Sequence, residues 1–381
     1  MKVVKNLKYI KDLSDKLSRY PHLVQVLIGP RQVGKTTSII AFLKQHYADG
    51  FHYYNSEEHF QSSNQWVQEC WYKAQKQNKV LVIDEVQKIP DWAQVIKAMW
   101  DQQQLSGRKI KCIVLGSSSL SIQKGLSESL AGRFMLTQAF HWNYTESKEG
   151  YNLSWEEYLE IGGYPGAYPM RENLSDWQNY VKNSLVQAVI EKDILLNHTV
   201  KSPALFRQCF EILTSYPAQE ISYTKLLGQL QNKGNTDLIK HYLSLFEGAF
   251  LIKQLSKFSA GKIRQKASSP KIIPLCPAFY YMQTLSALTS KEKGRIFELI
   301  VGMALLRSGY EMFYWRDGQY EVDYVLKFGK NLWAIEVKSG QSKKANGLLR
   351  FNQLYPDAKM VMINQENYIE LEKDVIGFLQ S

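Results

Sequence analysis

The chain has 381 residues with 45% hydrophobic and 13% aromatic content, which is enough for two or three domains with sizeable cores. It carries a net charge of +11, and it has neither an apolar signal core at its N-terminus nor an apolar run long enough to cross a bilayer, so we expect a cytoplasmic protein without membrane association. The four cysteines are far apart and form no cluster with histidine, which argues against a disulfide framework and against a zinc site.

The first informative elements are an apolar strand predicted over residues 23–28 and a helix predicted over residues 36–46. Between them, residues 29–36 read Gly-Pro-Arg-Gln-Val-Gly-Lys-Thr and match the phosphate-binding loop G-x-x-x-x-G-K-[ST] at every required position. The alternative, a chance glycine-rich turn, does not explain why strand, loop and helix agree. The nucleotide-binding residues predicted from this stretch are Gly29, Pro30, Arg31, Gln32, Val33, Gly34, Lys35, Thr36 and Thr37.

The residue types of this loop suit a nucleoside triphosphate. The two glycines let successive backbone N–H groups point inward around the phosphates, at the positive end of the following helix. Lys35 is expected to reach the β- and γ-phosphates, and the Thr36 hydroxyl is expected to ligate Mg²⁺.

A second motif follows at residues 80–85, which read Val-Leu-Val-Ile-Asp-Glu. A continuous apolar run is typical of a parallel strand that is covered on both faces. Asp84 is placed to hold Mg²⁺ through its water shell, and Glu85 is placed to polarise the attacking water. An ordinary buried strand with a solvated acidic end also fits, but the phosphate loop upstream favours the paired interpretation.

Further strands predicted at residues 51–55 and 110–116 give alternating strands and helices, which indicate an α/β fold with a doubly wound parallel sheet. Ser117 follows the last of these strands, where it can either sense the γ-phosphate or cap the next helix. Arg133 lies in the segment Leu-Ala-Gly-Arg-Phe. It can stabilise charge on the transferring phosphate, within its own subunit or across a subunit boundary, or it can form a structural salt bridge.

Residues 151–200 are predicted to be helical, apart from a glycine- and proline-rich hinge or lid turn at 162–166. Three helices are predicted next, over residues 204–216, 223–231 and 235–250. Three short helices before a basic strand region resemble a winged helix-turn-helix. Such a module either binds DNA or serves protein packing.

Positive charge is densest between residues 201 and 290, where 11 Lys and Arg face 4 Asp and Glu. Such a density suits contact with a phosphate backbone, although a solvated loop has the same composition. The basic residues that fall within one short stretch are Lys253, Lys257, Lys262, Arg264, Lys266 and Lys271.

A β-hairpin with clustered charge is predicted near the C-terminus, over residues 320–327 and 332–338. Alternation places Val322, Tyr324 and Leu326 on one face of the first strand, and pairing Lys327 with Leu332 places Asp323 opposite Glu336. Two opposed carboxylates favour a bridging divalent cation. Lys338, on the same face as Glu336, can then orient or deprotonate a water, and Glu298 on the preceding helix can add a third acidic ligand. A hairpin with scattered exposed charges is the alternative.

Asp323, the run Glu336-Val337-Lys338 and Glu298 together resemble the PD-(D/E)xK nuclease superfamily. With the phosphate loop, the Val-Ile-Asp-Glu strand and the Leu-Ala-Gly-Arg-Phe segment, nearly the whole chain resembles a prokaryotic family of AAA-like ATPases with a C-terminal domain of unknown function. The resemblance implies ATP rather than GTP, with an ATPase core at 1–150, a helical lid and winged helix at 151–290, and a small restriction-endonuclease-like domain at 291–381.

Three functions follow as hypotheses. The first is an Mg²⁺-dependent ATPase that acts on DNA, and the second adds metal-dependent DNA cleavage by Asp323, Glu336 and Lys338. The third is an ATP-gated switch that binds a protein partner and whose nuclease-like domain does not cut. The sequence leaves open the choice among them and whether the chain forms a homo-oligomer.

Overall fold

The computed structural model describes residues 7–47, 50–58, 63–107, 109–117, 119–230, 234–259, 268–284, 286–340 and 345–381. The chain divides into two compact units by its internal contacts. Unit 1 consists of Met1–His141, Lys192–Asn197 and Gly248–Phe250, and unit 2 consists of Trp142–Glu191, His198–Glu247 and Leu251–Ser381. The domain boundaries after residues 150 and 290 stay predictions.

Unit 1 is built on a parallel sheet. Its described strands are β1 (Val24–Ile28), β2 (Phe51–Asn55), β3 (Val80–Asp84), β4 (Cys112–Gly116) and β5 (Phe134–Gln138), in the order β2-β3-β4-β1-β5 with every pair parallel. Its described helices are α1 (Lys8–Arg19), α2 (Lys35–His46), α3 (Asn64–Gln77), α4 (Trp92–Ser106) and α5 (Ser119–Glu128). The predicted α/β fold class is confirmed.

The central strands explain where the site forms. All residues of β1, β3 and β4 are buried, as expected for apolar strands covered on both faces. Because parallel strands end at the same edge of the sheet, the loops after β1, β3 and β4 meet there.

Unit 2 begins with helices. Those that the structure describes are α6 (Tyr144–Tyr151), α7 (Trp155–Ile161), α8 (Leu174–Asn179), α9 (Pro203–Thr214), α10 (Tyr223–Gln229), α11 (Thr236–Gly248), α12 (Ala278–Tyr281), α13 (Ser290–Leu306), α14 (Asn346–Leu354), α15 (Gln365–Lys373) and α16 (Val375–Gln380). Two π-helical segments, Tyr180–Val186 and Val189–Leu195, follow α8, and the second of them ends within unit 1.

A mixed sheet runs through unit 2. Its described strands are β6 (Gln219–Glu220), β7 (Ile252–Lys257), β8 (Lys271–Pro274), β9 (Glu311–Asp317), β10 (Tyr320–Phe328), β11 (Asn331–Val337) and β12 (Lys359–Ile363). Their order is β12-β11-β10-β9-β7-β8-β6. The β7–β9 pair is parallel, so the strands after α11 continue the sheet of the C-terminal hairpin.

The hairpin between β10 and β11 has the predicted register, because Lys327 pairs with Leu332 and Tyr324 pairs with Ile335. The predicted face of Val322 is wrong. The pairing with β9 shifts between Val322 and Val325, as in a β-bulge, and a bulge redirects side chains. Val322 therefore packs in the apolar cluster that holds Val325, whereas the Tyr324 hydroxyl donates a hydrogen bond to the Glu298 carbonyl oxygen on α13, at 2.8 Å.

None of the described helices combines the length and the apolar character that a transmembrane segment requires.

Candidate functional site

The phosphate loop connects β1 to α2 through backbone conformations that glycine permits. Gly34 has φ +88°, in the left-handed region. A Cβ atom added to Gly29 would lie 2.6 Å from the Ala139 carbonyl oxygen, so a larger residue does not fit there. Among the other predicted nucleotide-binding residues of the loop, Pro30 and Val33 are buried, Arg31 and Thr37 are half-buried and Gln32 is exposed.

Lys35 lies over this loop and is 8% exposed. Its Nζ donates hydrogen bonds to the carbonyl oxygens of Gly29, at 3.0 Å, and Pro30, at 2.7 Å. Burial lowers the pKa of Lys35 to about 8, an effect that the carboxylates of Glu85 and Asp84 only partly oppose. The loop therefore carries a poorly neutralised ammonium group beside its backbone N–H groups.

Thr36 and Asp84 come from different elements and meet at the carboxyl edge of the sheet. The Thr36 hydroxyl donates to Asp84 Oδ2 at 2.6 Å. Asp84 Oδ2 also accepts from the Tyr53 hydroxyl at 2.8 Å, and Oδ1 accepts from the Glu85 N–H at 2.8 Å. A hydroxyl and a carboxylate are the oxygen donors that suit Mg²⁺, so this pair fits an ATP-bound magnesium ion.

Glu85 stands beside Ser117. The Ser117 hydroxyl donates to Glu85 Oε2 at 3.2 Å, and Gln87 Nε2 approaches the same oxygen at 2.5 Å. Gln87 Nε2 also donates to Ser117 Oγ at 3.1 Å. Sequence reasoning missed both Gln87 and Tyr53. Tyr53 meets Asp84 only because β2 and β3 lie side by side, whereas Gln87 lies two residues after Glu85 and could have been noticed from that spacing.

Arg31 has a partner that the sequence did not indicate. Its guanidinium makes two hydrogen bonds to the buried carboxylate of Asp193, from Nε to Oδ2 and from Nη2 to Oδ1, both at 2.7 Å. The pairing raises the pKa of Arg31 further. Asp193 lies in the π-helical segment Val189–Leu195, in the part of it that belongs to unit 1.

The Arg133 side chain contacts two residues of α4. Its Nε donates to Asp101 Oδ1 at 2.9 Å, and its guanidinium carbon lies 5.3 Å from the centre of the Trp100 ring. These contacts match the structural salt bridge that the sequence allowed. A role for Arg133 in stabilising the transferring phosphate stays a prediction.

A second cluster of charge lies in unit 2, in a pocket of about 400 Å³. The predicted residues Glu298, Asp323 and Glu336 all line it. Asp323 Oδ2 accepts a hydrogen bond from the Val337 N–H at 2.7 Å. Charged residues that the prediction did not include also line the pocket, namely Glu220, Arg295, Arg316 and Glu321.

Lys271 enters this cluster from β8, where it is 1% exposed. Its Nζ lies 2.5 Å from Glu298 Oε1, donates to the Asp323 carbonyl oxygen at 3.1 Å, and lies 3.9 Å from Asp323 Oδ1. Burial alone would lower the pKa of Lys271, but Glu298 and Asp323 outweigh it and raise the pKa above the usual value. Burial also raises the pKa of Glu298, and Lys271 opposes that rise.

Lys338 faces Glu336, as predicted from their spacing. Its Nζ lies 2.5 Å from Glu336 Oε1. Burial and the neighbouring Asp323 raise the pKa of Glu336, against the effect of Lys338. Within the described residues, no group of three or more His, Cys, Asp or Glu is arranged to hold a metal ion. As they stand, the three carboxylates do not fit a divalent-cation site, and that role stays a prediction.

The basic stretch predicted to contact a phosphate backbone is divided by the structure. Lys253 pairs with Glu247 at 2.5 Å, and Lys257 is half-buried at the end of β7. Lys271 is buried and paired with Glu298, so its predicted contact with a phosphate backbone is wrong. The other three positions, Lys262, Arg264 and Lys266, lie outside the described residues.

Comparison with protein families agrees with the geometry of the first site. Residues 22–148 match the family described as "AAA domain". This segment is therefore similar in sequence to AAA domains. Residues 152–279 match "Domain of unknown function (DUF8612)", and residues 293–380 match "Domain of unknown function (DUF4143)".

Two curated relatives span much of the chain. The uncharacterized protein MJ1544 of Methanocaldococcus jannaschii is 26% identical over 96% of this chain and 86% of its own. The uncharacterized protein Rv2008c of Mycobacterium tuberculosis is 25% identical over 86% of this chain and 73% of its own. Among solved structures, the Thermotoga maritima RuvB Holliday junction branch migration motor covers 65% of this chain and 88% of its own, at 15% identity and a TM-score of 0.35.

Proposed function

We propose that this chain is a cytoplasmic, Mg²⁺-dependent ATPase. The observation that carries the proposal is the meeting of Thr36 and Asp84 at 2.6 Å, next to the buried Lys35 of the phosphate loop. Two oxygen donors from separate elements and one ammonium are the groups that hold Mg²⁺ and the terminal phosphates in P-loop proteins. The match of residues 22–148 to an AAA domain supports the same conclusion.

Each side chain has a role in hydrolysis. Lys35 and the backbone N–H groups of the loop bind the β- and γ-phosphates, and Thr36 and Asp84 would hold Mg²⁺, which supplies neutralisation of phosphate charge when bound. Glu85 accepts a hydrogen bond from the attacking water and polarises it. Ser117 and Gln87 hold the Glu85 carboxylate in one orientation, so they act as positioning residues.

Phosphate release by the purified full-length protein tests this proposal. Lys35→Ala should lower the rate by at least about a hundredfold, because the variant loses charge stabilisation at the transferring phosphate. Lys44→Ala is the matched control, since Lys44 is an exposed lysine on the same helix. Equal rates for Lys35→Ala and the parent protein would overturn the assignment.

We further propose that ATP hydrolysis is coupled to DNA. Helices α9, α10 and α11, together with the antiparallel strands β6, β8 and β7, have the composition of a winged helix-turn-helix, a module that binds DNA through its last helix and wing. The excess of basic residues between 201 and 290 supports the same partner.

DNA-stimulated ATP hydrolysis across a salt series tests the coupling. Stimulation should fade as salt rises, because phosphate contacts release counterions. Negligible, salt-insensitive DNA affinity together with tight binding of a protein would instead favour an ATP-gated switch. The nuclease-like resemblance would add metal-dependent DNA cleavage by Asp323, Glu336 and Lys338, but the carboxylates as they stand do not fit a divalent-cation site, so cleavage is not part of this proposal. Nicking of supercoiled plasmid by the parent protein but not by Glu336→Ala would contradict its omission.

A further inference from the structure

The acidic pocket of unit 2 contains a buried positive charge of its own. Lys271 is 1% exposed, and its Nζ lies 2.5 Å from Glu298 Oε1 and 3.9 Å from Asp323 Oδ1. It also donates to the Asp323 carbonyl oxygen and lies 4.8 Å from the centre of the Tyr324 ring. The ammonium group is thus fixed from several directions between the two carboxylates.

A divalent cation that bridged Glu298 and Asp323 would need the same space. Mg²⁺ and Ca²⁺ bind carboxylate oxygens at about 2.0–2.6 Å, a range that includes the distance from Lys271 Nζ to Glu298. An ammonium and a divalent ion that share one carboxylate oxygen repel each other strongly in a buried setting. Lys271 therefore competes directly with a metal ion.

The third carboxylate is also engaged. Glu336 Oε1 lies 2.5 Å from the Lys338 ammonium. Its Oε2 is buried and has no hydrogen-bond partner among the described residues. Glu336 thus offers a cation one open oxygen atom. Because Mg²⁺ keeps several waters and takes only one or two carboxylates, the positive charge of Lys271 beside Glu298 and Asp323 decides whether an ion can stay.

We propose that Lys271 is the resident counter-ion of this pocket, and that the pocket therefore binds no divalent metal ion and cuts no DNA. The comparison of this pocket with a nuclease site rests on the proposed function. The assignment of Lys271 does not depend on whether the protein hydrolyses ATP. The C-terminal domain of this chain contributes a non-cutting surface, and Lys271 is the residue that decides this.

Mn²⁺ binding to the nucleotide-free full-length protein, followed by electron paramagnetic resonance, tests the proposal. The parent protein and Glu336→Gln should bind Mn²⁺ equally, because the pocket contributes no site in either. Lys271→Met should gain an Mn²⁺ ion that the parent protein does not bind, since a unit positive charge leaves the site. The double variant Lys271→Met/Glu336→Gln should lose that ion.

Two results would overturn the proposal. One is an Mn²⁺ ion bound by the parent protein and lost in Glu336→Gln, and the other is a folded Lys271→Met that gains no ion. If Lys271→Met does not fold, Lys271→Gln keeps a donor for Glu298 without the charge, and the comparison of the parent with Glu336→Gln needs no change at Lys271. Plasmid nicking by the parent that Glu336→Gln abolishes would also refute the proposal.

Phosphate release from ATP, measured on the same preparations, keeps the two proposals separate. A parent protein that hydrolyses no ATP but shows the expected Mn²⁺ pattern refutes only the ATPase. If the parent protein hydrolyses ATP and also binds an Mn²⁺ ion that Glu336→Gln loses, only the assignment of Lys271 as the counter-ion is refuted.

Discussion

Two buried lysines, Lys35 in unit 1 and Lys271 in unit 2, show how the partner of an ammonium group determines what its site can bind. Lys35 donates to two carbonyl oxygens, and burial lowers its pKa to about 8. Lys271 meets carboxylates, and its pKa is raised. Carbonyl dipoles leave most of the charge available to an incoming phosphate, whereas carboxylates neutralise it. The first site is receptive to an anion, and the second is already an internal ion pair.

The largest effect that distinguishes the two lysines concerns stability. Lys271→Met should lower the free energy of unfolding by about 3–5 kcal/mol, because Glu298 is left buried beside Asp323 without a counter-charge. Lys35→Met should change it by no more than about 1 kcal/mol, because the lost hydrogen bonds are offset by removing a poorly solvated ammonium. Urea titration of both variants measures the difference.

A double variant that removes both charges of the ion pair is the control for that result. Lys271→Met/Glu298→Gln removes both charges and should recover part of the lost stability, whereas Lys327→Met, at an exposed position, should have little effect. Equal destabilisation by Lys35→Met and Lys271→Met would contradict the comparison.

The pH dependence of nucleotide binding is the next largest effect. Bound phosphate favours the protonated form of Lys35, so binding raises its pKa. Below pH 8 the free protein already carries this proton, whereas above pH 8 binding must take it up, so ATP affinity should fall by up to about tenfold per pH unit. Calorimetric titration with ATP between pH 7 and 9 measures the fall.

Lys35→Arg supplies the comparison, because arginine keeps its proton throughout this range. Its ATP affinity should be nearly independent of pH. A parent protein whose ATP affinity is equally flat would show that the Lys35 proton is not linked to binding.

The smallest effect concerns Asp193, a carboxylate that makes two hydrogen bonds to Arg31 of the phosphate loop. Asp193→Asn should tighten ATP binding by about fivefold, because the bidentate pair no longer competes with phosphate for the guanidinium. Glu191→Gln is a matched control on the same segment, where Glu191 pairs with Arg207 instead. Weaker ATP binding by Asp193→Asn would mean that Asp193 orients Arg31 for the nucleotide rather than competing with it.

Local patterns predicted the elements around the nucleotide site well. The apolar run of β1, the spacing of the loop and the acidic end of β3 lie within short windows, and the observed strands Val24–Ile28 and Val80–Asp84 follow them closely. The hairpin register was also predictable, because a tight turn fixes which residues pair. The bulge in β10 was not, since its cause lies in the pairing with β9.

The charged partners at both sites could not be predicted from short stretches of sequence. Asp193 is 162 residues from Arg31, and Lys271 is 52 residues from Asp323. Lys271 lies in an apolar run, Pro-Lys-Ile-Ile-Pro-Leu, and a single charge in such a run is a signal for a buried ion pair that could have been used.

The sequence by itself determined the chemistry of the nucleotide site, because a phosphate loop encodes its backbone shape and its functional groups in eight consecutive residues. Only the tertiary structure decided which charged side chains are available to a ligand and which are already paired. The effect of an ammonium or a carboxylate depends on the groups within a few ångströms and on its burial, and sheet formation brings those groups together from distant parts of the chain. This is why the motif alone predicts a role for Lys35, whereas the ion pair of Lys271 forms only on folding.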